Sequence, residues 1–273
     1  MDPATRHRAS FRALHAHGCF VIPNPWDAGS AKALQKLGFA ALATTSAGFA
    51  FSRGLPDAPD ALAVGDVLEH IADIVNAVDV PVSADFQAGY ADDPDGVAAN
   101  VRRCVDAGVA GLSLEDTRPE PHGGLFEVSE AVERVQAARA AIDGAADVLL
   151  TARAECFLVG HPNPLAESVR RLQQYAEAGA DVLFAPGVRE RDQIRTIVEE
   201  VAPKPVNVLM SADTGLAVSD LARLGVRRVS VGSALARVAW GSFLDAAGTI
   251  ARDGRFTGLH GAADFQRLNT LFD

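Results

Sequence analysis

The sequence predicts an α/β chain folded as a (β/α)8 TIM barrel with an extra C-terminal helix, one domain over residues 1–273. Three observations predict it: short β-rich apolar runs, amphipathic segments that alternate with them from end to end, and a glycine that recurs just before several of the runs. The candidate strands, in order, span residues 19–22, 40–44, 81–85, 111–115, 148–152, 181–185, 205–209 and 228–231. Between them the segment 95–107 places Val97, Val101, Cys104 and Val105 on one helical face, and 164–178 does the same with Leu165, Val169, Leu172 and Ala176. Gly38, Gly108, Gly179 and Gly225 stand where a helix must stop and turn into the next strand, which a left-handed glycine does at least cost. Eight such units favour closure, because an open doubly wound sheet leaves two edges and usually has fewer strands. Residues 56–63 read as a long loop after the second strand. The segment 234–273 holds more helix than one crossover needs, with Trp240, Phe243 and Leu244 on an apolar face, so its surplus is expected to dock on a neighbouring subunit.

Composition narrows the partners. With 48% hydrophobic and 22% charged residues the chain buries a large core. A formal net charge of -10 disfavours nucleic acid, whose phosphates are met by clustered Lys and Arg. Cys19, Cys104 and Cys156 are too scattered for a disulfide framework or a structural zinc site, which fits a reducing cytoplasm. No stretch reaches the roughly 18 apolar residues of a membrane span, and residues 1–17 lack a leader's apolar run, so a cytoplasmic location without a membrane partner is expected.

In a barrel the reacting groups gather where strands end. Here the polar endings are Thr45, Ser46, Ala47 and Gly48 after strand two, Asp85 and Gln87 after three, Glu115 and Asp116 after four, Arg153 and Glu155 after five, and Asn207 on seven. Asp85 and Glu115, from adjacent strands, suit a hard divalent cation; alternatively they form a buried charge network with Arg153 that fixes the rim. Arg153 offers a planar fork for a substrate carboxylate, or else neutralises Glu155. Ser46 with the Ala47 and Gly48 amides either cradles an anionic oxygen or forms an ordinary turn. Gly232 and Ser233, opening the last helix, form a weak phosphate-cup signal. Trp26 and Phe86 read as packing, and His122 and His161 as solvated loop residues.

The segments "PNPWDAGSAKALQKLGFAALATTSAGFAFSRGLPDA", "PVSADFQAGYADDP", "AGLSLEDTRP", "LLTARAECFLVG" and "YAEAGADVLFAPG", spread between residues 23 and 233, resemble the isocitrate lyase/phosphoenolpyruvate mutase superfamily. The resemblance implies a barrel whose last helix is exchanged between subunits of a dimer of dimers, and a Mg2+ or Mn2+ ion that grips a 2-oxo acid or its enolate. By position, Asp85 is similar to the direct metal ligand, and Asp57, Gln87 and Glu115 to its water-mediated companions. Ser46, Ala47 and Gly48 resemble the oxyanion-binding turn, and Arg153 the carboxylate-binding arginine.

Three departures narrow the expected chemistry. Gln87 stands where the family usually places an acid, which removes a charge from the metal site. The loop "EDTRPEPHGGLFE" lacks the Lys-Arg-Cys-Gly-His stretch of the carbon–carbon lyases, and also the Lys and Asn of phosphonate-handling members. Pro186 replaces their phosphonate-binding histidine. What remains is a lyase acting on a small 2-oxo or 2-hydroxy acid through an enolate, with decarboxylation of a diacid such as oxaloacetate as the leading expectation. Water, Tyr90 or His122 would protonate the enolate. The rivals are cleavage of a substituted malate with Glu155 or Asp57 as base, phosphonate chemistry, and a barrel that binds a metabolite without turnover.

Overall fold

The computed structural model describes residues 2–58, 61–118, 123–144 and 146–273. The chain begins with a helix, α1 (Pro3–Ala16), and then enters the alternating pattern: β1 (Phe20–Ile22), α2 (Ala28–Lys36), β2 (Leu42–Ala43), α3 (Ser46–Ser52), α4 (Val64–Ala77), β3 (Val82–Asp85), α5 (Pro94–Asp106), β4 (Gly111–Glu115) and α6 (Val128–Asp143). It continues through β5 (Leu149–Arg153), α7 (Pro164–Glu177), β6 (Val182–Phe184), α8 (Arg191–Glu200), β7 (Val206–Leu209), α9 (Val218–Arg223) and β8 (Arg228–Ser230) to α10 (Ala234–Asp253), a short 3-10 turn and α11 (Phe265–Phe272). All eight strands are parallel, in the order β1-β8-β7-β6-β5-β4-β3-β2. The remaining seam is bridged by the Ala43 amide donating to the Pro23 carbonyl at 3.1 Å, so the barrel is nearly closed. Each strand lies within two residues of its sequence-predicted position at both ends, the helix expected over 95–107 shifts by one residue, and that expected over 164–178 ends one residue earlier.

Local chemistry explains these boundaries. Pro opens both α5 and α7, where its missing N–H costs nothing, and the Asp93 carboxylate caps α5 by accepting from the Gly96 amide at 2.7 Å. At the helix-to-strand turn after α7, Gly179 has φ +104°, and a Cβ there would stand 2.6 Å from Arg139 Cγ, so conformation and space both require glycine.

Strand alternation sorts the interior. In β4, Leu112 and Leu114 are buried in the main cluster between barrel and helices, while Gly111, Ser113 and Glu115 are the alternate set. The base of the lumen is apolar: Phe11 from α1 packs with Ile22, Ala41, Ala110 and Leu149. Sequence reading gave residues 1–17 no structural role, because the segment is polar overall; two residues suffice to plug the barrel. Phe11 is fully buried, and a Cβ on Gly111 would meet its ring at 2.6 Å. Phe11→Ala is expected to cost about 3–5 kcal/mol, read as a shift in the urea midpoint at unchanged slope.

His15, one helical turn on, has its Nδ1 2.8 Å from the Phe11 carbonyl, which places the proton on Nδ1 and leaves Nε2 as an acceptor 3.5 Å from an Arg228 terminal nitrogen. Burial first, then the Arg228 and Arg12 charges, lower its pKa to about 3. The folded protein therefore holds His15 neutral where the unfolded chain, with the ordinary value of 6.5, takes up a proton. Stability is expected to be complete above pH 6.5 and to fall by up to about 1.4 kcal/mol per pH unit on acidification towards pH 3. Denaturant melts at stepped pH check this: His15→Gln should flatten that limb relative to the parent.

Candidate functional site

The carboxyl ends of β2 to β5 bring one guanidinium into contact with three carboxylates. Arg153, at the end of β5, donates from its NH1 to Asp85 Oδ1 at 2.7 Å and from its Nε to Glu155 Oε1 at 2.7 Å, and its NH2 lies 3.0 Å from Glu115 Oε2. It also lies over the Phe184 ring, 5.4 Å from the centroid. The register accounts for the convergence: Glu115 pairs with Arg153 across β4 and β5, and Asp85 pairs with Ser113 across β3 and β4.

Asp85 is fixed from its other side by the start of α3. Both the amide and the hydroxyl of Ser46 donate to Asp85 Oδ2, at 3.0 and 2.9 Å, and the Asp85 amide donates to Thr44 Oγ1 at 2.9 Å. The expected oxyanion turn is thus the first turn of a capped helix. Thr45 is its N-cap and accepts from the Gly48 amide at 3.2 Å. With the Ser46 and Gly48 amides engaged, the Ala47 amide is left without a protein acceptor among the described residues, and Ala47 lines the cavity. Gly48 is the contact with Trp26 and Ala236, which a Cβ would meet at 3.0 and 3.5 Å.

Glu155 lies beneath Arg153, its side chain only 3% exposed, so it holds the guanidinium in place. Behind it is a group that sequence reasoning registered only as a strand ending. Asp116 accepts from the Glu155 amide at 2.9 Å, from the Tyr175 hydroxyl at 2.6 Å and from Arg171 at 3.0 Å, all of it buried. The available signal was a second acid next to Glu115; nothing local pointed to its partners on α7.

Charge around Arg153 does not balance. Asp57, on the exposed rim of the same cavity, joins Asp85, Glu115 and Glu155, which makes four acids for one guanidinium. Burial raises the Glu115 pKa and pushes Glu155 up to about 8, in each case against the lowering effect of Arg153. Desolvation and the Asp85 charge raise Asp57. Burial alone would lower Arg153, but Glu155, Glu115 and Asp85 outweigh it and hold it well above the ordinary value. An excess of hard oxygen donors around one guanidinium suits a divalent cation.

Two cavities meet at this cluster. One, of about 220 Å³, runs into the barrel lumen and is lined by Ser46, Asp57, Asp85, Arg153, Asn207 and Arg228 among others. The second, of about 390 Å³, is lined by Gln87, Tyr90, Asp92, Glu115 and Thr117. Gln87 and Tyr90 belong to a strained turn with φ of +41° and +52°. The Tyr90 hydroxyl is buried without a hydrogen-bond partner among the described residues, and burial together with the Asp85, Glu115 and Asp57 charges raises its pKa, so it stays a phenol. Asn207 is tied into the lumen, accepting from Arg228 Nε at 2.9 Å and donating to Ser230 Oγ at 2.9 Å. Among the described residues no three His, Cys, Asp or Glu side chains form a ready metal cage. His122 lies outside the described residues.

Of the two residues of the phosphate-cup expectation, Gly232 has its amide already engaged: it donates to Asn24 Oδ1 at 2.8 Å, beside the Val231 amide at 3.0 Å. Phe86 is fully buried, as its reading as packing requires.

Comparison with known proteins agrees with this architecture. The family model described as phosphoenolpyruvate phosphomutase matches residues 11–251. An oxaloacetate decarboxylase of Paraburkholderia xenovorans is 31% identical, with 86% of this chain and 77% of that protein covered. A crystal structure from Burkholderia cenocepacia J2315, assigned provisionally as a lyase/mutase, is 46% identical and superposes with a TM-score of 0.94, covering 99% of this chain and 98% of that one. The structure of oxaloacetate acetylhydrolase with its product oxalate is 26% identical, with a TM-score of 0.87 and coverage of 100% and 95%.

Proposed function

This chain belongs to the phosphoenolpyruvate phosphomutase family, and from that premise we propose that it is a metal-dependent lyase that decarboxylates a small 2-oxo diacid of the oxaloacetate type. The observation that carries this reading is the Arg153 fork set among Asp85, Glu115 and Glu155 at the mouth of a polar cavity. Asp85 is the proposed direct ligand of Mg2+ or Mn2+, with Glu115, Gln87 and Asp57 acting through waters. A bound ion of this kind supplies Lewis-acid polarisation of the keto oxygen.

The protein's own groups do the rest. Ser46 orients Asp85 through two hydrogen bonds, and the Ala47 amide is a donor for a developing oxyanion. Arg153 would offer its fork to a substrate carboxylate, its partners Asp85 and Glu115 being among the residues that would hold the cation. Glu155 and Asp116 keep that fork in place. Tyr90, held as a phenol beside Glu115, is the candidate donor to the enolate carbon. Decarboxylation needs no further acid, which suits a chain without the lyase cysteine.

The test is an NMR assay of oxaloacetate, 2-methylisocitrate, dimethylmalate and phosphonopyruvate with and without Mg2+, set against Asp85→Ala as the background for metal-catalysed decay. Pyruvate and carbon dioxide above that background support the proposal. Succinate from 2-methylisocitrate or propanoate from dimethylmalate, each alongside pyruvate, would replace it with malate-type cleavage, in line with a 2-methylisocitrate lyase of Escherichia coli being 30% identical over 77% of this chain. Removing the metal with a chelator is expected to lower turnover at least about a thousandfold, roughly 4 kcal/mol in barrier, and Mg2+ should restore it.

The surplus helices carry the proposed assembly. Val238, Phe243 and Leu244 on α10 are 67%, 58% and 59% exposed, and Phe265 on α11 is 80% exposed, an apolar face a lone chain leaves in water. Exchange of this segment in a dimer of dimers would cover it; sedimentation at the mass of four chains checks the assembly.

A further inference from the structure

The middle of a barrel lumen is ordinarily filled by layers of bulky apolar side chains. Here the corresponding strand positions are polar: Ser83 on β3, Ser113 on β4, Thr151 on β5, Asn207 on β7, and Arg228 and Ser230 on β8. The alternation that produces this is visible in "VSAD", "GLSLE", "LLTAR", "VNVL" and "RVS", where every second residue faces the lumen.

Arg228 is the odd member. It is 5% exposed, and no carboxylate among the described residues lies within ion-pair distance of it. Its hydrogen bonds go to neutral acceptors: Asn207 Oδ1 at 2.9 Å, Thr151 Oγ1 at 3.1 Å and, more distantly, His15 Nε2 at 3.5 Å. His15 cannot offset its charge, because it is neutral and its other nitrogen is bound to the Phe11 carbonyl. Three of the five guanidinium N–H groups are used, which leaves two. Isolated buried charge is costly, and proteins normally answer it with a counter-charge. Burial lowers the Arg228 pKa to about 9, in keeping with a cation lacking a partner.

The space beside it is donor-rich. Ser230 Oγ accepts from Asn207, and Thr151 Oγ1 accepts from Arg228, so both hydroxyl protons are free to point elsewhere. Arg228, Ser230, Ser83 and Ser113 line the same cavity as Arg153, and its roughly 220 Å³ compares with about 30 Å³ for a water molecule.

We propose that Arg228, with the Ser230 hydroxyl, forms a second anion subsite in the lumen, sized for one carboxylate group or a halide and lying below the Arg153 centre. The subsite goes beyond the lyase reading and needs no turnover to be detected. Its occupant is either the distal carboxylate of a substrate diacid or a free monoanion, and the two are separated by competition.

Melting temperatures are measured in halide-free buffer with added bromide or malonate, for the parent and for Arg228→Met, and malonate affinity by calorimetry with and without bromide. Bromide should raise the parent's melting temperature by several degrees and leave the variant's unchanged. If a malonate carboxylate occupies the subsite, the variant should bind malonate at least tenfold more weakly. In anion-free buffer the variant should melt no lower than the parent, since the charge it loses had no counter-charge. Bromide that weakens malonate binding assigns the subsite to the substrate; bromide and malonate bound together assign it to a free ion. Equal response of parent and variant to both anions overturns the proposal. Should Arg228→Met fail to fold, anomalous scattering from bromide-soaked parent crystals decides: a peak in contact with the Arg228 guanidinium supports the subsite, and its absence there overturns it.

Discussion

Asp85→Asn is expected to lower kcat/KM at least about a thousandfold, equivalent to some 4 kcal/mol of lost transition-state stabilisation. The substitution preserves shape but changes three contacts. Oδ2 accepts from both the amide and the hydroxyl of Ser46, so an asparagine placing Nδ2 there sets donor against donor. Turning the amide round moves the conflict to Arg153 NH1, which now donates to Oδ1 at 2.7 Å. Either rotamer also removes the anionic oxygen a hard cation needs. The defect should lie mainly in kcat, with metal affinity, read by calorimetry, weakened in parallel. An Asp85→Asn protein that turns over within tenfold of the parent would remove Asp85 from the centre of the mechanism.

Arg153→Lys should follow closely, with kcat/KM reduced about a hundredfold to a thousandfold and a loss of about 3 kcal/mol in unfolding free energy. Formal charge is retained, so the effect isolates geometry. The guanidinium meets Asp85, Glu155 and Glu115 from three separate nitrogens at 2.7, 2.7 and 3.0 Å, and a single ammonium has no such fork. A carboxylate left without its hydrogen bond in a site this buried bears most of the desolvation penalty. Chemical denaturation and steady-state kinetics on the same preparation separate the two losses. Added Mg2+ should recover part of the stability, because the cation takes over charge that the shorter-reaching ammonium compensates poorly, and none of the substrate orientation.

Much of the barrel was legible in the sequence because its strands and helices differ in period. Runs such as "GLSLE" and "LLTAR" alternate every second residue, and segments such as "PDGVAANVRRCVD" repeat near every fourth, so the two kinds of element separate without tertiary information. The Asp85, Glu115 and Arg153 convergence was readable for the same reason, since strand ends in a parallel barrel share one rim. What stayed hidden depends on partners distant in sequence. Asp116 looks like any surface acid until Tyr175 and Arg171, on the far side of a crossover, close over it. Asn24 shows its role only when β8 returns beside β1 and its carboxamide takes the amides of Val231 and Gly232. The Ser46 to Gly48 turn stands at the strand-two rim, but local sequence did not reveal that two of its three amides are spent on Asp85 and Thr45.

The stopper at the barrel base bears on how the chain reaches this structure. Phe11 and His15 precede all eight strands in the chain, yet His15 meets Arg228 across 213 residues, and β1 finds one of its neighbours only in β8. Bringing such distant segments together costs chain entropy before any contact repays it. The ring therefore shuts only once β8 has come to lie beside β1, which makes closure a late, non-local event in folding.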